Sequence, residues 1–206
     1  MDSYYAIALQ TKVHAVNGCS TRDEARSLMD STLERLKVEI FAAKKFVGSD
    51  VRLVVLPEYF LTAYPMGDTI KGWADKAALL EDGPEYAKLG EIAKDNDIFI
   101  SGNAYEVDAH FDELYFQTSF IIDPKGDVIL RYRRLNSMYS PTPHDVWDKY
   151  LDIYGIEGVF PVADTEIGRL ACIASEEILY PEIARMFFIR GAEVGLHSTG
   201  EIGSTI

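Results

Sequence analysis

Apolar residues along this chain recur in two rhythms, and the changes between them mark out its elements. Tyr5 to Leu9 is a short continuous apolar run and reads as a strand. From Ser20 to Val47 the apolar positions Leu28, Leu33, Leu36, Ile40 and Phe41 fall at helical spacing, and Ser20 or Thr21 with Glu24 following supplies a helix start. Val51 to Leu56 is a β-rich run stopped by Pro57. Tyr86 to Lys94 predicts a second helix, and Ile98–Gly102 and Phe116–Asp123 predict strands. Pro124-Lys125-Gly126-Asp127 turns the latter into Val128–Tyr132, because such a cluster between two apolar runs is hairpin chemistry. Arg169–Ala174 reads as a strand, Pro181–Arg190 as a helix and Glu193–His197 as the start of one more strand. Several of these strands are apolar almost throughout, so they are expected to be covered on both faces. An α/β layered sandwich follows.

Composition narrows the picture. A chain of 206 residues, 48% of them hydrophobic, can fill one substantial core, and a single continuous domain is expected over 1–206. Mean hydropathy is near zero and no apolar run is long enough to cross a bilayer, so no membrane role is expected. The net charge of −13 argues against nucleic acid, whose phosphates would be repelled. No basic region precedes an apolar stretch at the N-terminus, and Cys19 and Cys172 do not make a disulfide framework, which points to a reduced, cytoplasmic setting. No glycine-rich phosphate loop follows a strand and no His/Cys cluster has ligand spacing, so neither cofactor nor metal is expected.

At three places an apolar strand stops abruptly at an ionisable or polar residue: Leu56-Pro57-Glu58, Tyr132-Arg133-Arg134 and Ala174-Ser175-Glu176. Strand ends of layered α/β folds carry sites, although a charged residue emerging into solvent is the plainer reading of any one alone.

Taken together, these segments resemble the three motifs of the carbon–nitrogen hydrolase (nitrilase/amidase) superfamily. Leu53-Val54-Val55-Leu56-Pro57-Glu58 looks like the first motif, whose glutamate is the general base. Asp123-Pro124-Lys125-Gly126 followed by Tyr132-Arg133-Arg134 is similar to the second, normally Tyr-Arg-Lys. Gly168 through Ser175 to Tyr180-Pro181-Glu182, then Arg190 to Val194, resembles the third, in which a nucleophilic cysteine stands six residues before the proline. The resemblance implies an α-β-β-α sandwich, hydrolysis of a small-molecule amide or nitrile, no cofactor and a homodimer or larger homo-oligomer. In the family more chain follows the third motif, so the sandwich is expected to lack its C-terminal strands.

The chemistry departs from the family at two of three catalytic positions. Glu58 is retained, but the lysine is Arg134, the nucleophile is Ser175, and the histidine common two residues after the lysine is Asn136. Cys172 lies three residues too early, inside a strand, where a buried small side chain is expected. Cysteine suits the reaction because its pKa of ~8.5 is easily lowered, whereas serine needs an activating partner. His144 and His197 are candidates for that partner only by lying in or near loops. Arg134 can hold an oxyanion or carboxylate but cannot shuttle protons. An ion pair with Glu58 would spare its burial cost, and Glu176 and Glu177 are further partners for Arg133 or Arg134. Ser175 is either native to a divergent branch or an introduced change, and Arg134 and Asn136 favour the first. The expected catalytic set is Glu58, Arg134 and Ser175, with Tyr59, Tyr64, Glu176 and Tyr180 beside a substrate. Two functions stay open, a hydrolase using this variant set and an inactive relative that keeps the pocket or scaffold. The Pro181–Arg190 helix, which Ile183, Met186, Phe187, Phe188 and Ile189 make apolar over most of its circumference, is either fully buried or half of an interface, and a two-fold contact is expected.

Overall fold

A computed structural model describes residues 3–200. The first helix, α1 (Arg22–Val47), opens on a reciprocal cap: Thr21 accepts from the Glu24 amide, and the Glu24 carboxylate accepts from the Thr21 amide. Its buried stripe is Ala25, Met29, Leu33, Leu36 and Ile40. Phe41, grouped with that stripe by its spacing, instead lies 54% exposed beneath Lys45.

Six strands form the larger sheet: β1 (Tyr5–Ala8), β2 (Val51–Val55), β3 (Leu79–Leu80), β4 (Phe99–Val107), β5 (Phe116–Ile122) and β6 (Val128–Arg133). Their order is β1-β2-β4-β5-β6, with β3 beside β4. β1, β2 and β4 run parallel, and β4, β5 and β6 form an antiparallel meander. The Asp123–Asp127 turn joins β5 to β6, and there Gly126 adopts a positive φ of 95°. A side chain on Gly126 would press 3.0 Å from the Gly90 carbonyl, so this turn and its neighbouring helix approach only through glycines. A smaller sheet, β7 (Ala163–Thr165), β8 (Gly168–Ala174) and β9 (Val194–Ser198), lies in that order, with β8 and β9 parallel.

Alternation along the strands sorts the core into layers. Val54 of β2 packs with Leu33 and Leu36 of α1, with Trp73 of α2 (Ile70–Ala77) and with Leu89 of α3 (Pro84–Asn96). Its neighbour Leu53 turns the other way, into a cluster with Ala171 and Ile173 of β8 and Phe187 of α5 (Pro181–Ile189). The layers therefore run helices, larger sheet, smaller sheet, helix, the expected α-β-β-α order. Ser198 at the end of β9 donates to the Leu56 carbonyl at 3.0 Å, tying the two sheets together where β2 ends. A fourth helix, α4 (Trp147–Tyr154), covers the far end of β5 through Tyr150 and Phe116. On α5, Ile183 and Phe187 face the core, while Phe188 and Ile189 are 50% and 70% exposed. No helix among the described residues is long and apolar enough to cross a membrane.

Candidate functional site

Three strand ends meet on one cleft of about 940 Å³. Glu58 follows β2, Arg134 follows β6 and Ser175 follows β8, and all three line it, with Tyr59, Tyr64 and Glu176. Tyr180 is not among the lining residues; it sits 48% exposed at the far end of the short 3-10 turn Ser175–Leu179. Three residues of the cleft hold left-handed backbone without being glycine, Tyr59 at φ 53°, Ala63 at φ 59° and Ser175 at φ 51°. That conformation costs a non-glycine residue ~1–2 kcal/mol, and at Ser175 it directly follows β8, with Glu176 next to it lining the cleft.

Glu58 is buried, and both its oxygens are taken. Gln117 Nε2 donates to one at 2.6 Å and the Gly200 amide donates to the other at 3.0 Å. Arg134 is equally committed. Its Nε donates to the Asn136 carbonyl at 2.6 Å, and one terminal nitrogen donates to Gln117 Oε1 at 2.7 Å and stands 3.9 Å from Glu58. Its other terminal nitrogen pairs with Glu176. Arg134 thus faces two carboxylates of its own chain, Glu176 in direct contact and Glu58 at 3.9 Å.

Ser175 Oγ donates to Glu176 Oε2 at 2.6 Å, and no bond joins it to Glu58 or to a histidine. His197 Nε2 donates to the Ser175 backbone carbonyl at 2.7 Å, which pins the turn and leaves the hydroxyl alone. His144 stacks on Trp147 instead. Burial pushes the Glu176 carboxyl up, but bonds from Ser175 and the backbone and the charge of Arg134 outweigh it and hold it below its ordinary value. Cys172 is fully buried in β8 with its thiol pushed up to about 12 by burial, so it is no nucleophile. Glu177, offered as a partner for the arginines, accepts from the Leu135 and Asn136 amides and from Tyr132 Oη at 2.8–2.9 Å. It thereby fastens the Ser175 turn to the chain that carries Arg134.

One residue of the site carried no signal in its immediate sequence. Gln117 bridges Glu58 and Arg134 through its amide, and Asn103 of β4 accepts from it at 3.2 Å. The available clue was polar residues inside otherwise apolar strands, Asn103 of β4 and the run Gln117 to Ser119 of β5, with Asn103 paired to Ser119, where polar groups are buried only if they have partners.

Known proteins share sequence and fold with this chain. The sequence profile of the carbon–nitrogen hydrolase family matches residues 11–205. A formamidase from Bacillus thuringiensis is 28% identical over 179 residues, 86% of this chain and 49% of the relative. Nitrilase homolog 2 from Dictyostelium discoideum is 28% identical over 165 residues, 80% of this chain and 48% of the relative. The chain spans about half the length of these curated relatives. Among solved structures, a carbon–nitrogen hydrolase from Helicobacter pylori G27 superposes with a TM-score of 0.65 at 20% identity, covering 95% of this chain and 59% of that one. Saccharomyces cerevisiae Nit3, of the nitrilase superfamily, superposes with a TM-score of 0.63 at 20% identity, covering 92% and 63%.

Proposed function

This chain belongs to the carbon–nitrogen hydrolase family, and we propose that it seats a small-molecule amide or nitrile in the cleft of Glu58, Arg134 and Ser175 while hydrolysing it negligibly. One observation carries this reading. No free base faces Ser175: Glu58 is held by Gln117 and Gly200, His197 by a backbone carbonyl, and Glu176, which accepts from Ser175 Oγ, is neutralised by Arg134. A serine hydroxyl next to an anion held in its ionised form is a poor nucleophile, because that carboxylate is too weak a base to take its proton. Ammonia release from short aliphatic amides and nitriles is expected to stay at background. A version carrying Ser175→Cys and Arg134→Lys, which returns the family's thiol and amine, is expected to gain turnover. Robust turnover by the unaltered chain, abolished by Ser175→Ala, would defeat the proposal.

A second reading is favoured by the strained backbone of Ser175 and its 2.6 Å bond to Glu176. In it Ser175 Oγ attacks the amide carbon, Glu176 takes the hydroxyl proton and returns it to the leaving amine, and water then frees the acyl group. The same assay separates the two.

We further propose that α5 joins two copies of the chain in a two-fold dimer. Leu179, Phe188 and Ile189 are 76%, 50% and 70% exposed on or beside that helix, an apolar surface that invites association. A monomer in sedimentation at micromolar concentration would sink it.

A further inference from the structure

We propose that the ligand of this cleft carries a positive charge, an alkylammonium or guanidinium group beyond its amide or nitrile end, and that Glu176 sets the preference. The proposal rests on the reading of the cleft as a binding site. Apart from tyrosines, the ionisable residues lining the cleft among the described residues are Glu58, Glu176 and Arg134, so two carboxylates face one guanidinium there. An anionic ligand meets an Arg134 whose charge is already paired with Glu176, while its Nε and one terminal nitrogen donate to Asn136 and Gln117. To bind there it would have to displace a carboxylate of the protein's own chain.

A cation meets the opposite conditions. The Glu176 side chain lines the cleft and is 45% exposed, with Arg134 paired to one oxygen and Ser175 Oγ donating to the other. Tyr64 and Tyr139 line the same space at 37% and 86% exposure. Deeper in, Tyr59 stacks on Tyr105 with ring centroids 5.0 Å apart. Tyrosine faces attract ammonium and guanidinium groups through their negative π-clouds, most strongly where water is partly excluded. Burial raises both Tyr59 and Tyr105, so they stay neutral and add no competing proton chemistry. The net charge of −13 adds a long-range field that draws cations and repels anions.

Three amides of similar length test the proposal by calorimetric titration of the 206-residue chain: 4-aminobutanamide, pentanamide and succinamate. The cationic amide is expected to bind about tenfold more tightly than the neutral one at low salt, with succinamate weakest, and the gap is expected to narrow at high salt. In Glu176→Gln the cationic advantage is expected to fall to about twofold, since only screened charge remains to favour it. Equal binding of cation and neutral amide, or succinamate binding best, overturns the charge preference while leaving the cleft reading intact. A full cationic advantage in Glu176→Gln overturns the role of that residue. Binding of none of the three, by protein that still melts cooperatively, removes the cleft reading and this inference with it.

Discussion

Arg133 and Arg134 are adjacent, equally buried at 4% exposure, and turned into two regions that use an arginine differently. Arg133 enters a closed cluster. It donates to Asp108 at 2.6 Å and to Glu81 at 3.0 Å, lies 3.8 Å from Glu106, and its guanidinium packs over the rings of Phe116, Tyr150 and Tyr154. Arg134 enters the cleft, where Glu176 is half exposed and a space of about 940 Å³ adjoins. The first region spends its charges on holding β4, β6 and α4 together. The second leaves part of its charge facing open volume, which is what a binding site needs and a core does not.

The comparison predicts unequal costs. Arg133→Met removes the guanidinium paired with the buried Asp108, which keeps only Tyr154 and His110, and is expected to cost about 4 kcal/mol, read from urea denaturation. A loss below about 1 kcal/mol would show that the cluster is wetter than its burial implies. The pH dependence follows from Asp108, whose carboxyl burial raises but the bonds from Tyr154 and His110 and the charge of Arg133 hold below the ordinary value. A depressed carboxyl contributes stability that is complete above its unfolded value of about 4 and is lost as pH falls through the lower folded value. Acid denaturation is therefore expected to be shallower in Asp108→Asn, and an unchanged slope below about pH 4 would contradict it. Arg134→Met is expected to cost less, about 2 kcal/mol, because Glu58 keeps its bonds from Gln117 and Gly200 and Glu176 turns to water. The smallest effect has the opposite sign. Ser175→Gly relieves a left-handed backbone and is expected to raise stability by about 1 kcal/mol in the same denaturation. A destabilised Ser175→Gly would mean that the bond to Glu176 outweighs the strain.

The two regions were not equally legible in the sequence. Glu58, Arg134 and Ser175 each end an apolar strand, and a break in periodicity is a local signal that needs no partner to be read. The four-layer arrangement was legible for the same reason, since β4 and β5 are apolar enough to demand cover on both faces. The Arg133 cluster was not foreseen, because Glu81 and the Glu106/Asp108 pair reach it from two stretches of chain far from Arg133 in sequence. α2 and α4, of eight residues each, were also missed: Gly72 interrupts the first, and both are held by burying one large aromatic, Trp73 or Tyr150, rather than by a long stripe. Tyr180 was grouped with the cleft because it adjoins the third motif. The turn that begins at Ser175 carries it outward, and sequence proximity does not show that direction.

The meander of β4, β5 and β6 also sets an order of events. Gln117 and Arg134 lie on one hairpin closed by the Asp123–Asp127 turn, so their contact forms when that hairpin zips, on a scale of about 1–10 μs. Glu58 and Ser175 end strands of parallel pairs whose partners return only after a long stretch of chain, and closing such loops is slow. The amide bridge that later holds Glu58 therefore stands ready beside Arg134 before Glu58 arrives. Pulse-labelled hydrogen exchange is expected to protect the β5–β6 amides before those of β2 and β9, and simultaneous protection would refute that sequence. The chain assembles the anchored half of its cleft as a template, and the acidic half docks onto it last.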